Sequence, residues 1–202
     1  MRHIGTILLE TPRLILRRFR PEDALPMYQG WASREECTRY FPWPPATDFE
    51  EIKERLTQWI ANYESPDYYQ WAIEHDTDQT LIGVINLHNP DPLSASAETS
   101  YILTPAYWNQ GLMTEALKAV LDFAFYTLDL NRVEADVFEG NTPSMRVLEK
   151  NSFQYQTTTP AKYQKNNTPI TALQYTIQKQ TYINLQFQPP PKPLSPKSQS
   201  PQ

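Results

Sequence analysis

With 202 residues and a mass of 23.5 kDa, the chain suits a single domain of ordinary size. Hydrophobic residues make up 40% of the chain and charged residues 20%, so most of it should fold. The sequence has no run of 18 apolar residues and therefore predicts no membrane-spanning helix. The net charge of -5 divides into -11 over residues 1–149 and +6 over residues 150–202, and an acidic body lacks the basic surface that nucleic-acid phosphates need. It suits a cationic partner such as an amine, although a merely solubilising surface explains the acidic excess equally well.

The first part of the chain predicts one strand followed by two helices. Leu14–Phe19 (LILRRF) is the strand. Pro21–Asp23 opens the next helix, because proline fits a first turn and acidic side chains suit its positive end. Tyr40–Pro45 (YFPWPP) is a loop, since its prolines break any helix or strand ladder. Asp48 then caps a helix that runs to about Asn62.

The middle of the chain predicts three strands, a long amphipathic helix and a fourth strand. Tyr69–Glu74 and Leu81–Leu87 form a hairpin around a turn-rich linker, and Glu98–Leu103 is the third strand. From Met113 to Leu128, apolar residues recur every three or four positions, which is typical of a helix with one buried face. Arg132–Val137 predicts the strand that follows.

The last part of the folded region predicts a short helix and two strands. Pro143 lies in the first turn of the helix, Thr142–Lys150, and the strands lie near Phe153–Thr158 and Ile170–Ile177. Hairpins pair their strands antiparallel, whereas helical crossovers pair them parallel. The element order therefore predicts an α/β (α+β) domain with a mixed sheet.

The C-terminal segment has a different composition from the rest. Residues 189–202 (PPPKPLSPKSQSPQ) hold six of the 19 prolines and a single aliphatic side chain. Such a segment cannot bury enough apolar surface to order itself, so we expect one folded domain over residues 1–188 and a disordered, Pro-rich tail. A spacer without function is favoured, and a Pro-rich ligand for another protein is the alternative.

Cysteine and histidine are too few for a metal site or a disulfide. Cys37 is the single cysteine, and the three histidines are scattered. The sequence thus favours no metal and a reducing cytoplasm as the location. Because no histidine lies near Cys37 in the sequence, a nucleophilic role for its thiol is not favoured.

The segment Tyr101–Ala116 (YILTPAYWNQGLMTEA) carries the clearest chemical signal. A strand ends, a short loop containing Gly111 follows, and a strong helix begins at once. The first N–H groups of that helix have no internal partners, and together with the helix dipole they favour an anion such as a phosphate. Neither a Walker-type phosphate loop nor a dinucleotide fingerprint is present, so these residues alone indicate an anion site of unspecified kind.

Several segments in order resemble the GNAT N-acetyltransferases, and more narrowly the ribosomal-protein-serine/alanine N-acetyltransferase type. Residues 97–116 resemble the acetyl-CoA-binding motif of that family, and residues 11–24, 39–45 and 141–153 match further segments. The resemblance covers roughly residues 8–178. It implies a mostly antiparallel central sheet of about six to seven strands, flanked by about four helices.

The resemblance also implies which residues hold acetyl-CoA. The pantetheine arm would run along the strand, and the diphosphate would lie on loop and helix amides, which gives the set Tyr101, Ile102, Leu103, Asn109, Gln110, Gly111, Leu112, Met113 and Thr114. Gly111 matches the central glycine of the family pattern Q/R-x-x-G-x-G/A. Trp108 stands where that pattern has Q/R, and Met113 where it has a small residue.

A second motif lies at the start of the short helix. By the resemblance, Asn141 would hydrogen-bond the pantetheine, and Ser144 would face the thioester sulfur and protonate the departing thiolate. The alternative is purely structural, since asparagine is a good helix cap and serine is common in a first turn. The resemblance favours the functional interpretation.

The acceptor side has weaker candidates. Glu98 is the candidate general base, acting directly or through water, and an exposed strand carboxylate without a role is the alternative. Tyr40, Phe41 and Trp43 form an aromatic loop that resembles the family segment covering the acceptor, although such loops also serve as hydrophobic plugs. His88 is a second base candidate, for which a plain surface position is the favoured alternative.

These residues lead to one expected function and one alternative. We expect an N-acetyltransferase, acting without metal, that moves an acetyl group from acetyl-CoA to a primary amine by direct attack. The acceptor would be a protein N-terminus, such as that of a ribosomal protein, or a small-molecule amine. No direct contact with nucleic acid or membrane is expected, and the protein would be a monomer or homodimer. The alternative is a catalytically silent acyl-CoA-binding or sensor module of the same fold.

Overall fold

The computed structural model describes residues 3–186, which form eight β-strands and six α-helices. The strands are β1 (Leu9–Glu10), β2 (Leu14–Arg17), β3 (Tyr69–His75), β4 (Thr80–Asp91), β5 (Ser96–Leu103), β6 (Arg132–Phe138), β7 (Gln154–Lys165) and β8 (Thr168–Gln178). The helices are α1 (Ala24–Met27), α2 (Glu35–Thr38), α3 (Phe49–Ala61), α4 (Leu112–Asp122), α5 (Thr142–Lys150) and α6 (Lys179–Gln186).

All eight strands belong to one sheet in the order β1-β2-β3-β4-β5-β6-β8-β7. Neighbouring strands are antiparallel except β5 and β6, which are parallel because α4 crosses over between them. This pair matches for only three residues each, Ser96–Glu98 against Arg132–Glu134. Beyond Glu98 and Glu134 the two strands are not paired with each other, so the sheet opens in its centre.

Helices cover both faces of the sheet. One face packs against α4 and α5, and its core includes Trp71, Ile85, Val120 and Leu148, all fully buried. The stripe predicted on α4 faces this core, since Met113, Ala116, Leu117, Val120 and Leu121 are all buried. The opposite face packs against α1 and α3 through a second cluster that includes Met27, Ile52 and Val84. Burying both faces of the sheet ties β5, β6 and the crossover helix into fixed positions.

The predicted fold class is confirmed, with more elements than expected. The sequence predicted about six to seven strands and four helices, whereas the described residues contain eight and six. The additional elements are the short β1, α2 and α6. The last two strands are longer than predicted and continue up to a tight turn at Asn166 and Asn167, both at positive φ. The sequence did not show the full length of β7, because this strand is mostly exposed and has no apolar alternation.

Several predicted boundaries agree closely with the structure. The helix after Asp48 runs over Phe49–Ala61, and the Asp48 side chain accepts a hydrogen bond from the Glu50 amide at 3.0 Å. The long helix becomes a π-helical turn at Phe123–Thr127. Within residues 3–186, no helix is long and apolar enough to cross a bilayer. The predicted Pro-rich tail, residues 189–202, lies outside the described residues.

Candidate active site

The gap between β5 and β6 is the floor of a cleft of about 510 Å³. Four segments that are far apart in the sequence line it: α2 with the loop after it, β5 with the loop into α4, the end of β6, and α5. Most residues predicted for the site lie there, namely Tyr40, Phe41, Tyr101, Ile102, Leu103, Asn109, Gly111, Leu112, Met113, Thr114, Asn141 and Ser144. The fold therefore brings the two predicted motifs and the aromatic loop together.

The loop before α4 is the part of the cleft that suits an anion. Gly111 precedes the helix at φ 77°, and Asn109 has φ 60°. Both residues therefore adopt the left-handed backbone conformation, which turns the chain sharply before the helix begins. The first bond of the helix runs from the Glu115 amide to the Gly111 carbonyl, at 3.1 Å. The N–H groups of residues 112–114 precede it and have no partner within the helix. Residues 112–114 line the cleft, so these N–H groups could hold a diphosphate there.

Two cations that the sequence analysis did not single out lie beside this loop. Arg146 and Lys150, one turn apart on α5, line the same cleft. Their positive charges favour an anionic ligand next to the start of α4. Their spacing on a short helix was visible in the sequence, but nothing in it placed α5 beside α4.

A pair of hydroxyl groups lies between the loop and the sheet. The Tyr101 hydroxyl is 3.1 Å from Ser144 Oγ and 3.3 Å from the Ser144 carbonyl oxygen. Burial raises the pKa of Tyr101 well above its ordinary value, so its hydroxyl stays protonated at neutral pH. The Asn141 side-chain oxygen caps α5 by accepting from the Ser144 amide at 3.4 Å. Asn141 therefore caps the helix, as the structural alternative predicted. Because only the side-chain oxygen is used, the side-chain nitrogen can still donate to another partner.

The opposite end of the cleft is enclosed by contacts between distant segments. Lys165, at the tip of the β7–β8 hairpin, donates to the carbonyl oxygens of Thr38 and Arg39 at 2.9 and 3.2 Å. Tyr40 donates to the carbonyl oxygen of Gly140 at 3.2 Å. A lysine is well placed there, because the last carbonyls of a short helix such as α2 carry partial negative charge. These contacts hold the aromatic loop over the sheet.

Two carboxylates line the cleft, Glu36 on α2 and Asp136 on β6, and the sequence analysis singled out neither of them. Asp136 lines the cleft just beyond the point where β5 and β6 part. Its Oδ2 accepts a hydrogen bond from the Tyr163 hydroxyl at 2.6 Å and also pairs with Lys162. Oδ1 of the same carboxylate is the second acceptor available to a bound cation. Charged residues alternate along the predicted strand at Arg132, Glu134 and Asp136, so the sequence showed a polar face but not which of these residues lines the cleft.

Four predicted residues do not line the cleft. Trp43 is exposed and stacks near Phe41, with 4.7 Å between ring centroids. Gln110 lies on the far side of the loop, where its side chain donates to the Ala106 carbonyl at 3.0 Å. Glu98 accepts from the Asn89 side chain at 3.0 Å, and His88 lies directly opposite Glu98 on β4. Roles in catalysis or binding for these four residues stay predictions.

His88, Glu98 and Asp136 nevertheless form one polar group on the sheet. By strand register, their side chains lie on the same face, which is the face that α2 and the aromatic loop approach. Burial lowers the pKa of His88, while the charges of Glu98 and Asp136 oppose that shift without cancelling it. His88 is therefore neutral near pH 7.

Cys37 lines the cleft as well, but its environment keeps the thiol protonated. Its side chain is buried, and burial raises its pKa to about 11. Its sulfur lies 3.9 Å from the Leu103 carbonyl oxygen, with the thiol as donor. A thiol in this state is a poor nucleophile. Within residues 3–186, no group of three or more His, Cys, Asp or Glu side chains is placed to hold a metal ion.

The chain is similar to known acetyltransferases in sequence and in structure. The acetyltransferase (GNAT) domain family matches residues 13–154. An uncharacterized N-acetyltransferase of Bacillus subtilis (strain 168), YoaA, is 31% identical over 172 residues, which are 85% of this chain and 97% of that protein. The ribosomal-protein-serine acetyltransferase of Escherichia coli (strain K12) is 27% identical over 111 residues, 55% of this chain and 62% of that protein.

A solved structure shows the same fold. The spermidine N-acetyltransferase of Vibrio cholerae, in complex with CoA and spermine, superimposes with a TM-score of 0.74. The match covers 86% of this chain and all of that one, at 20% sequence identity. The two chains thus share one fold.

Proposed function

Because the chain belongs to the GNAT acetyltransferase family, we propose that it transfers an acetyl group from acetyl-CoA to a primary amine by direct attack. One observation carries the proposal. A single cleft joins the open amides at the start of α4, the Ser144–Tyr101 hydroxyl pair and the carboxylate of Asp136. These groups suit, in order, a diphosphate, a departing thiolate and a cationic amine.

At the donor end, the residues fit an acyl-CoA, which supplies an activated acetyl group as a thioester. The amides of Leu112, Met113 and Thr114 would hold its diphosphate, with support from Arg146 and Lys150. The edge of β5 that faces the gap would bond to an extended pantetheine arm as a further strand does. Ser144 Oγ would donate to the sulfur as the carbon–sulfur bond breaks, and Tyr101 orients that hydroxyl.

At the acceptor end, the amine must lose a proton before its nitrogen can form the new bond. Deprotonation at pH 7 costs about 4.6 kcal/mol for a lysine side chain and about 1.4 kcal/mol for an α-amino group. We propose that Asp136 binds the ammonium form and that Glu98 takes its proton through water, because Glu98 lies on the same face outside the lining. The lower cost favours an α-amine or another amine of low pKa.

The acceptor class rests on this chemistry together with the relatives. One relative is named for a ribosomal-protein serine, and one structural neighbour contains spermine. Both names point to amine acceptors, and the carboxylates of Glu36 and Asp136 in the cleft would suit the cationic form of such an amine. A covalent route through Cys37 is disfavoured, because its thiol, with a pKa of about 11, is almost entirely protonated at pH 7.

The second candidate function is a catalytically silent acyl-CoA-binding module. The observation that favours it is the position of Glu98, which accepts a hydrogen bond from Asn89 and does not line the cleft. Such a module keeps the loop before α4 and lacks a working base.

Free thiol measured after mixing protein, acetyl-CoA and a panel of peptides and amines separates the two functions. The peptides should carry serine, alanine or methionine at a free N-terminus, with N-terminally blocked versions as controls, and the amines should include polyamines. Thiol release that depends on a free amine supports the transferase. Acetyl-CoA binding without release from any acceptor supports the silent module.

A further inference from the structure

Arg13 joins the start of β2 to the back of the loop before α4. Its Nη1 donates to the Gln110 carbonyl oxygen at 3.0 Å, and its Nε and Nη2 each bond to Glu115 Oε2 at 2.7 Å. Among the described residues that line the cleft, Gly111 and its successors are present, whereas Arg13, Gln110 and Glu115 are not. The guanidinium therefore contacts the loop from the side opposite the cleft.

This contact sets the direction of one peptide group. The carbonyl and the N–H of a planar trans peptide point in opposite directions. Since Arg13 holds the Gln110 carbonyl on the back of the loop, the N–H of Gly111 is directed toward the cleft. At φ 77°, Gly111 has no side chain to restrain its backbone, so this orientation depends on such an external bond.

Arg13 also balances an unfavourable charge. Glu115 lies in the first turn of α4, where a carboxylate stabilises the helix but repels an anion bound at the same end. Its carboxylate accepts from Arg13 and from the Thr11 hydroxyl at 2.7 Å. These bonds hold the charge on the back of the helix and pair it with a cation.

We propose that Arg13 is a positioning residue for acyl-CoA binding: it aims the Gly111 amide at the diphosphate and neutralises Glu115. The proposal rests on the proposed function, because it requires a diphosphate at this loop. It also predicts that the contribution of Arg13 to binding depends on the diphosphate of the ligand. Only ligands that carry the diphosphate should respond to its replacement.

The test is calorimetric titration with CoA of the wild-type protein, Arg13→Gln, Arg13→Gln/Glu115→Gln and the control Arg55→Gln. Arg55 pairs with Glu51 on the surface of α3, outside the cleft. We expect Arg13→Gln to weaken CoA binding about tenfold, since one oriented bond to a charged group is lost and Glu115 is left unpaired. The double variant should recover part of that loss, to about threefold, and the control should bind CoA as the wild type does.

A ligand without the diphosphate completes the test. Turnover with acetyl-pantetheine at saturating amine should stay within about twofold of wild type in Arg13→Gln. Unchanged CoA affinity in Arg13→Gln overturns the proposal. So does an equal fold loss of CoA affinity and of acetyl-pantetheine turnover, if the melting temperature of the variant is also lower. Full recovery in the double variant overturns the positioning role, because charge alone then explains the effect. Absence of CoA uptake by the wild-type protein overturns the proposed function and this proposal with it.

Discussion

The donor end and the acceptor end of the cleft are built in different ways. At the donor end, the backbone groups are the amides of residues 112–114 and the edge of β5, which come from one continuous stretch of sequence, and α5 adds side chains beside them. The acceptor end consists of side chains, such as Tyr40, Asp136 and Lys165, from segments up to 127 residues apart. Binding through backbone groups persists when side chains change. A surface formed by side chains, in contrast, can be altered by substitution to accept a different amine.

The largest effect should come from breaking the backbone of the donor end. Gly111→Ala places a side chain at φ 77°, so the loop should leave the left-handed conformation and turn its amides away. We expect CoA affinity to fall as much as about 30-fold, because the binding conformation then carries the roughly 2 kcal/mol that an L-residue costs in it. Calorimetry measures this loss.

Gly5→Ala is the matched control for Gly111→Ala. Gly5 has φ 70° and lies outside the cleft, so its replacement should destabilise the fold by a similar amount, about 1 to 2 kcal/mol, and leave CoA affinity unchanged. If both variants lose CoA affinity equally, the effect of Gly111 is on folding and the backbone account of the donor end is wrong.

The next effect should come from the hydroxyl pair where the two ends meet. Ser144→Ala removes the donor to the departing thiolate and should lower kcat about 30-fold, with CoA affinity within twofold. Tyr101→Phe keeps the ring and removes only the bond that orients Ser144, so its loss should be smaller, about threefold. Steady-state kinetics with one saturating acceptor measures both, and a larger loss in Tyr101→Phe than in Ser144→Ala would contradict the assigned order of roles.

The carboxylates should separate binding from proton transfer. Glu98→Gln should lower kcat about tenfold and flatten its rise with pH, because a carboxamide cannot accept the proton. Asp136→Asn should mainly raise KM for the amine, since it removes one of the two negative charges that line the cleft. Rate profiles from pH 6 to 9 measure both, and a normal profile for Glu98→Gln would place the base elsewhere.

The smallest effect should come from the enclosure of the acceptor end. Lys165→Met removes the bonds to the carbonyls of Thr38 and Arg39 and should raise KM for the amine about fivefold, as expected for about 1 kcal/mol. CoA affinity should not change. Lys53→Met, on the exposed surface of α3, is the control. A change in CoA affinity in Lys165→Met would mean that the two ends are not independent.

The same contrast explains what the sequence could predict. The loop before α4 and the cap of α5 are local, so Gly111, Asn141 and Ser144 were identified from short patterns, and Thr142–Lys150 has the predicted bounds. Asp136 and Lys165 act through partners that only the folded sheet supplies, and β7 is too exposed to show an apolar period. Arg13 was within a matched segment, but nothing in that segment indicated its contact with Gln110, 97 residues away.

The most direct test of the central claim is the amide spectrum of ¹⁵N-labelled protein during a titration with CoA. The account predicts saturable downfield shifts of the amide protons of Gly111, Leu112, Met113 and Thr114, since new bonds to a charged diphosphate deshield them. The surface of α3 should show no change. Saturable CoA binding that leaves these four amides unshifted, and perturbs another part of the protein, would contradict it.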